Sequence, residues 1–223
     1  MMYDESVWIG KTLLELKDST SISPLLNVGS STAHFREVQQ KCIHDNIFGP
    51  LKAKGVIVHH LDMKKAEGVD IVGDLSEPIF LEQLRKTKYK SVLCSNLLEH
   101  VKNPELICKA IYDIVEQDGY IVISVPNLFP YHNDPIDTKF RPGIKTLQSM
   151  FPETELVKGD ILTIDNTHLR VLLKQKKLLL FAFVRVLMPF YKFGSWVKII
   201  ADIPNLNKKY KVTCVTLKKT GKH

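Results

Sequence analysis

The sequence predicts an α/β fold in which a doubly wound, mostly parallel sheet is covered by helices on both faces. Short and almost continuous apolar runs recur along the first 125 residues, and stretches with helical periodicity separate them. Strands that are apolar on both faces are typical of parallel sheets buried between two helical layers. The chain has 223 residues, of which 44% are hydrophobic and 25% charged, so it can bury the core of one such domain.

Five strands and three helices follow in order from these runs. Gly29 ends the first strand, and Ser31 and Thr32 can then cap the first helix, which Gly49-Pro50 closes. Asn103-Pro104 is a strong start for the third helix. The predicted strands are 25–28, 56–61, 69–72, 91–95 and 120–125, and the predicted helices are about 33–47, 76–86 and 104–117.

The second half of the chain differs in composition. A long, polar and proline-rich loop is followed by a short helix, a strand, an apolar stretch with interspersed lysine and arginine, and a final strand. These segments are 126–143, 144–150, 156–161, 169–201 and 211–217. We therefore predict a single domain over residues 1–223, with its core at about 20–165 plus 205–219 and a basic helical insertion at about 168–203.

The cysteines and the N-terminal segment predict a reduced, cytoplasmic protein. Cys42, Cys94, Cys108 and Cys214 are widely spaced, with no Cys-x-x-Cys pair and no cysteine–histidine cluster at metal-ligand spacing. We therefore predict free core thiols and no metal site. The first ten residues contain two acids and no apolar run, which is not the pattern of a secretory signal.

Positive charge is concentrated in the last quarter of the chain. From Arg170 onwards there are thirteen Lys or Arg residues and one acid, a local charge of +12, so the preceding residues carry −5 of the total of +7. This asymmetry argues against a protein that coats nucleic acid, and it predicts either one face attractive to an anionic partner or a solvated basic face with no partner.

The apolar residues within this basic part leave several arrangements open. Residues 174–200 hold no uninterrupted span of about 20 apolar residues, so we do not expect a transmembrane helix. Their mixture of Leu, Phe and Trp with Lys and Arg fits a helix lying in a membrane interface. We favour the alternative, a pair of helices packed on the sheet edge or in a dimer interface, because lysines readily extend to solvent around buried helices.

Polar residues and a glycine follow the ends of several predicted strands. Gly29, Asp62, Asp74 and Asn96 each come directly after a strand, and Pro126-Asn127 follow the fifth. Ligands of parallel α/β sheets bind beyond the carboxyl ends of the strands, so these residues are expected around one ligand. Each also has a simpler explanation, as a turn glycine, an exposed loop acid or a helix cap.

Four segments resemble class I S-adenosylmethionine-dependent methyltransferases. They are LLNVGSS at 25–31, GVDIVGDL at 68–75, LCSNLLEHVKNP at 93–104 and DGYIVISVPN at 118–127. Their order and spacing are those of that family, and the resemblance covers about residues 20–165 and the closing strand. It implies a Rossmann-like sheet, for which we predict an antiparallel last strand, together with methyltransferase activity and S-adenosylmethionine as the cofactor.

The resemblance also implies roles for particular residues. Asp62 matches the acid that holds the ribose, and Asp74 and Leu75 match the pair that recognises adenine. Glu99 and His100 match the family signature as residues that support the loop. The matches to the cofactor turn and to the segment beside the methionine portion are Asn27, Gly29, Ser30, Asn96 and Leu97.

The polar loop 126–143 is the predicted acceptor side. His132 is the expected general base because its ordinary pKa lies near neutrality, with Asp134 or Asp137 as orienting group or substitute. A histidine in a polar loop can also serve only as a hydrogen-bonding residue. The loop resembles that of methyltransferases of sugar and polysaccharide pathways, which implies O-methylation of a carbohydrate-like or other small-molecule acceptor.

Two other functions compete with this one. Ser31 and Ala33 stand where the family has its second and third glycines, which favours a scaffold that keeps the fold, has lost efficient catalysis and docks a membrane or partner through its basic helices. A nicotinamide-dependent dehydrogenase is a weaker alternative, because the full glycine fingerprint and a Tyr-x-x-x-Lys pair are both missing.

Overall fold

Seven strands form one mixed sheet at the centre of the protein. The computed structural model describes residues 1–132, 136–174 and 176–221. The strands are β1 (Leu25–Val28), β2 (Val58–Asp62), β3 (Ile71–Val72), β4 (Tyr89–Ser95), β5 (Val115–Leu128), β6 (Thr154–Thr167) and β7 (Lys209–Lys219). Their order across the sheet is β3-β2-β1-β4-β5-β7-β6.

The strand order reverses beside β1. This strand pairs in parallel with β2 on one side and with β4 on the other. Val28, the last residue of β1, is level with Leu61 in β2 and with Cys94 in β4, so the three strands end at the same edge. Where the strand order reverses, the chain connections after neighbouring strands pass to opposite faces of the sheet and leave a crevice between them. Sheets of this type bind their ligands in that crevice.

The last strand is antiparallel, as predicted. β7 pairs with β5 through Ile123 and Val215 and with β6 through Ile161 and Thr213, both in antiparallel register. The sequence placed β7 at the far end of the sheet, whereas the structure places it inside, with β6 on the edge. Three helices lie between β6 and β7 in the chain, where the helical insertion was predicted.

Helices cover the sheet on both faces. Along β5, Ile121 and Ile123 pack into a core with α4, α5 and α6, while Val122 between them packs into a second core with α1, α2 and α3. This alternation confirms the predicted doubly wound architecture. The helices are α1 (Tyr3–Ser19), α2 (Lys41–Ile43), α3 (Gly49–Ala53), α4 (Pro78–Arg85), α5 (Pro104–Ile114), α6 (Ile144–Ser149), α7 (His168–Lys174), α8 (Lys176–Val186) and α9 (Phe193–Asp202).

The first helix was not predicted from the sequence. Trp8, Ile9, Leu13 and Leu16 of α1 are buried in the second core, so this helix forms part of the layer that covers the sheet. Glu5 closes its first turn, because its Oε2 accepts a hydrogen bond from the backbone N–H of Met2 at 2.9 Å.

The segment after β1 is less regular than the single helix predicted over 33–47. It consists of two π-helical turns, Phe35–Gln39 and His44–Phe48, with α2 between them and α3 after them. Gly49-Pro50 does not end the segment, since both residues lie in the first turn of α3. Proline is tolerated there because the first turn leaves its N–H groups without helical partners.

Candidate active site

A large cleft lies beyond the carboxyl ends of β1, β2 and β4. Its volume is about 1530 Å³, above the roughly 300–1,000 Å³ of a typical single-ligand site, so it has room for two ligands side by side. Gly29, Asp62 and Asp74 therefore surround one hollow, as predicted. All eight residues expected around the cofactor line it, namely Asn27, Gly29, Ser30, Asp62, Asp74, Leu75, Asn96 and Leu97.

The turn after β1 has a left-handed backbone at two positions, Gly29 and Ser31. Gly29 has a φ of +69°, and a Cβ atom at this position would meet the Leu97 side chain at 3.1 Å. Ser31, which replaces the second glycine of the family turn, also has a positive φ, of 55°. A residue with a Cβ adopts this conformation at a cost of about 1–2 kcal/mol, so neighbouring contacts must hold Ser31 in place.

Arg36 supplies one of these contacts, and the Asp62 carboxylate and the Ser30 hydroxyl supply two others. The Arg36 side chain is buried, and Nη1 donates hydrogen bonds to the carbonyl oxygens of Ser30 at 2.9 Å and Ser31 at 2.7 Å. Nη2 donates to the carbonyl of Gly68 at 2.7 Å, in the loop between β2 and β3. Arg36 thereby ties the cofactor turn to the next loop. Sequence reasoning missed this residue, because a charged residue in a helical pattern is normally exposed.

Asp62 is held so that it can accept further hydrogen bonds. Its Oδ2 accepts from the backbone N–H of Ser31 at 2.8 Å, and its Oδ1 accepts from that of Lys64 at 3.1 Å. A carboxylate has about four acceptor positions, so roughly one remains on each oxygen for a pair of ribose hydroxyls.

Asp74 and Leu75 lie together on the same wall of the cleft. Oδ1 of Asp74 accepts from the backbone N–H of Ser76 at 2.8 Å, so Asp74 also shapes the turn that leads into α4. Asp74 therefore has the structural role that its simpler explanation proposed, at the turn between β3 and α4, and it also lines the cleft.

Asn27 has a structural partner on the neighbouring strand. Its Nδ2 donates to Nδ1 of His60 at 3.0 Å. Burial, reinforced by the nearby Arg36 charge, lowers the pKa of His60 to about 4, so the ring is neutral and can accept this bond at physiological pH. Asn27 thus joins β1 to β2 at the base of the cleft.

Glu5 closes the opposite side of the cleft and was also missed by sequence reasoning. It is fully buried, and its Oε1 accepts hydrogen bonds from Asn96 Nδ2 at 2.7 Å and Ser124 Oγ at 2.6 Å. Asn96 has a positive φ of 50°, which asparagine tolerates better than most residues. The start of α1 therefore fixes the segment after β4.

His132 and Asp137 form a pair at the acceptor end of the cleft. His132 lines the cleft, and its Nδ1 lies 3.3 Å from Oδ2 of the buried Asp137 and 3.3 Å from the Pro130 carbonyl. Since both neighbours accept hydrogen bonds, Nδ1 carries the proton and Nε2 keeps its lone pair. Asp134, the other predicted orienting group, lies outside the described residues.

Charge and hydrogen bonding keep Asp137 ionised. Burial alone would raise the pKa of this carboxyl, but hydrogen bonds from His132, Arg141 and the Lys139 backbone outweigh burial and hold it well below its usual range. Nη2 of Arg141 donates to Oδ2 at 2.7 Å. The hydrogen bond to Asp137 in turn raises the pKa of His132, against the opposing effect of burial.

The chain matches the model of a family described as a methyltransferase domain. The match extends over residues 24–172, which is more than half of the chain. The chain belongs to this methyltransferase family. The resemblance to class I S-adenosylmethionine-dependent methyltransferases is therefore confirmed, and with it the predicted enzyme class and cofactor.

Solved structures show the same fold for the methyltransferase. MccD aligns with a TM-score of 0.54 at 13% identity over 96% of each chain. A Bacillus halodurans C-125 protein described as a methyltransferase aligns at 0.53 and 13% identity, over 95% of this chain and all of the other. Coclaurine N-methyltransferase, bound to N-methylheliamine and SAH, aligns at 0.50 and 16% identity, over 94% and 70% of the two chains. A sequence search among curated proteins finds no significant match.

Two features of the methyltransferase cleft suit S-adenosylmethionine. The turn at Gly29 brings backbone close to the cavity, and Asp62 retains acceptor capacity towards it. The departure at Ser31 leaves the cleft open, since Ser31 lines it with a left-handed backbone such as glycine adopts, and Ala33 is not one of the described residues that line it. The turn therefore keeps a left-handed backbone at Ser31 without a glycine, with Arg36 and Asp62 bonded to it.

Proposed function

We propose that this methyltransferase transfers a methyl group from S-adenosylmethionine to an oxygen of a sugar-containing or other small-molecule acceptor. One observation carries the proposal: a single cleft is lined by all eight residues expected around the cofactor and also by His132, which is backed by Asp137. A donor and an acceptor bound in this cleft would be adjacent, and positioning of the two reactants supplies most of the catalysis in such a transfer.

The proposed cofactor-binding roles are those that the family resemblance implies, and the presence of all these residues in one cleft supports them. Asp62 holds the ribose hydroxyls, and Asp74 with Leu75 recognises the adenine. Asn27, Gly29 and Ser30 form the proposed cofactor turn, and Asn96 and Leu97 are the proposed contacts to the methionine portion; all five residues line the cleft. S-adenosylmethionine supplies a methyl group on a sulfonium sulfur, a leaving group that needs no acid.

His132 is the group proposed to take the acceptor proton. Its Nε2 is the ring nitrogen left free by the contacts at Nδ1, and the ionised Asp137 stabilises the ring once it is charged. Arg141 is bonded to the same carboxylate and keeps it in place. An acceptor hydroxyl within hydrogen-bond reach of Nε2 would therefore lose its proton as the new bond to carbon forms.

Replacement of His132 by glutamine tests this assignment. We expect turnover to fall by about 100-fold or more, the usual contribution of a general base, while the Kd for S-adenosylmethionine stays within about twofold. Formation of S-adenosylhomocysteine with a panel of sugars, phosphosugars and small hydroxylated metabolites gives turnover, and calorimetry gives the Kd. His34→Gln, at an exposed histidine that does not itself line the cleft, is the control.

Two outcomes would contradict the proposal. Equal turnover in His132→Gln and wild type would show that another group is the base. No binding at millimolar S-adenosylmethionine would overturn the enzyme function and favour the alternative of a non-catalytic scaffold protein. The features that support this alternative are the two replaced glycines of the cofactor turn and the basic helices.

We also propose that α8 and α9 bind an anionic lipid surface. Large apolar side chains on and between these helices are exposed, including Phe190 at 97%. Exposed apolar groups of this extent mark an interaction site, and the local charge of +12 from Arg170 onwards suits acidic headgroups. The exposed residues are Leu179, Leu180, Phe181, Phe183, Val184, Leu187, Met188, Phe190, Tyr191, Phe193 and Val197. Among the described residues, no helix combines the length and hydropathy needed to cross a bilayer.

Vesicle sedimentation tests the lipid surface. We expect binding to vesicles that contain anionic lipid, little binding to neutral vesicles, and at least a fivefold loss for the Phe181→Ser, Phe190→Ser double variant. Val38→Ser, an exposed apolar residue elsewhere, is the matched control. Dimerisation in light scattering without vesicle binding would instead assign this surface to a second copy of the chain and overturn the proposal.

A further inference from the structure

Two histidines and a glutamate converge at the acceptor end of the cleft. Glu99 and His100 belong to the short 3₁₀ turn after β4, and His132 belongs to the loop after β5. One ligand atom of each residue lies within 4.8 Å of the others, and all three residues line the cleft. The sequence did not reveal this group, because His132 comes 32 residues after His100 and fits no metal-ligand spacing.

Both imidazole rings are held through the same nitrogen. His100 donates from Nδ1 to the carbonyl of Ile136 at 2.5 Å, and His132 has Nδ1 against Asp137 and the Pro130 carbonyl. The Nε2 atoms are therefore the ones that keep lone pairs. Metal-binding histidines show this arrangement, in which a carbonyl or carboxylate on one ring nitrogen fixes the tautomer and orients the other.

Glu99 provides the independent observation that a ligand belongs here. Glu99 is only 1% exposed, yet among the described residues no group donates a hydrogen bond to its Oε2. Within the described residues, the only ionisable basic group within 4 Å of this carboxylate is His100, whose Nε2 lies 3.7 Å from Oε1. A buried acceptor without a partner destabilises the fold, so an occupant that bonds to Oε2 would remove this cost.

We propose that Glu99, His100 and His132 bind one divalent transition-metal cation of the zinc class. Two histidines and one glutamate are a recurring ligand set for Zn²⁺ sites that keep a fourth position open for water or substrate. Zn–ligand bonds of about 2.0–2.2 Å place the ligand atoms roughly 3.3 Å apart, so atoms that now lie up to 4.8 Å apart must approach each other by up to about 1.5 Å on binding. Side-chain rotation of Glu99 and His132 provides this movement. Arg141, the nearby cation, is neutralised by Asp137.

The inference deepens the proposed function, and only its catalytic part rests on that function. A cation at this position faces the cleft and would lower the pKa of an acceptor hydroxyl bound to it. In the loaded protein His132 is a ligand, the cation replaces it as the group that promotes deprotonation, and the proton passes to solvent through the open cleft. Binding of the metal itself does not depend on the acceptor or on S-adenosylmethionine.

Metal binding is tested directly on the full chain freed of metal with a chelator. We expect one equivalent of Co²⁺ to bind with the visible absorption of a low-coordinate nitrogen–oxygen site, and Zn²⁺ to displace it. Glu99→Gln and His100→Ala should each weaken Co²⁺ binding by at least tenfold. Glu105→Gln, an exposed acid a few residues away, should leave it unchanged. Thermal melts by circular dichroism establish that the variants are folded.

The outcomes separate the two proposals. Absence of stoichiometric Co²⁺ binding, or binding unaffected by Glu99→Gln, would overturn the metal site and leave the methyltransferase function intact. Full turnover in chelator-treated protein would overturn the catalytic role of the cation and return deprotonation to His132. Turnover that is lost with chelator and restored by Zn²⁺ would support the site.

Discussion

Replacing Asp62 by alanine is expected to raise the Kd for S-adenosylmethionine by more than tenfold. The substitution removes the carboxylate proposed to accept both ribose hydroxyls, and a hydrogen bond to a charged group contributes about 1.5–3 kcal/mol. It also frees the backbone N–H of Ser31, which Asp62 now holds at 2.8 Å in a left-handed turn. Isothermal titration calorimetry measures the Kd without any knowledge of the acceptor.

The control for this variant is Asp118→Asn. Asp118 is an acid near the start of β5, far from the cleft, and asparagine tolerates its positive φ of 61°. Its loss changes the net charge by the same amount and should leave cofactor affinity unaltered. If Asp62→Ala binds S-adenosylmethionine as tightly as wild type, the ribose assignment of Asp62 is wrong.

Replacing Arg36 by methionine is expected to cost about 3 kcal/mol in the free energy of unfolding and to weaken cofactor binding more than tenfold. The carbonyl oxygens of Ser30 and Gly68 lose the donor that Arg36 supplies, and that of Ser31 keeps only the Ser30 hydroxyl at 3.2 Å. Each unpaired buried group costs about 1–3 kcal/mol. The effect on binding follows because only the Asp62 carboxylate and the Ser30 hydroxyl then hold Ser31 at its unfavourable φ. Urea denaturation followed by circular dichroism and calorimetry measure the two quantities.

Arg85→Met is the matched control. Arg85 also makes a short ion pair, 2.7 Å from Asp113, but at the surface. A surface pair contributes about 0–1 kcal/mol, so this variant should be nearly as stable as wild type. An Arg36→Met protein as stable as Arg85→Met, with unchanged affinity, would show that the turn does not depend on Arg36. Arg36→Lys should restore little, since one ammonium group cannot span all three carbonyls.

The sequence predicted the sheet well because its signals are local. Apolar runs such as 91–95 and 120–125 identify buried strands wherever they occur, and the residues after them fall at one edge of the sheet by geometry alone. For this reason Gly29, Asp62 and Asp74 were expected together, and they line one cleft. Parallel pairing sets the edge at which these residues lie, but not the direction of each side chain.

The parts that were missed depend on distant partners. Arg36 is buried because Gly68 presents a carbonyl to it from another loop, and Glu5 is buried because Asn96 and Ser124 donate to it across the sheet edge. No pattern within the residues around Arg36 or Glu5 indicates such partners, so both would be judged solvent-exposed. The metal-ligand cluster escaped detection for the same reason, since Glu99 and His132 meet only in the folded protein.

The position of β7 between β5 and β6 determines when the sheet can be completed during synthesis. Until residues 209–219 have left the ribosome, β6 has no neighbour to join and β5 presents a bare edge that contains Ile121 and Ile123. Unpaired apolar strand edges are templates for aggregation. A nascent chain is therefore expected to need protection of that edge, and a premature stop before Lys209 should give inclusion bodies instead of a smaller working enzyme.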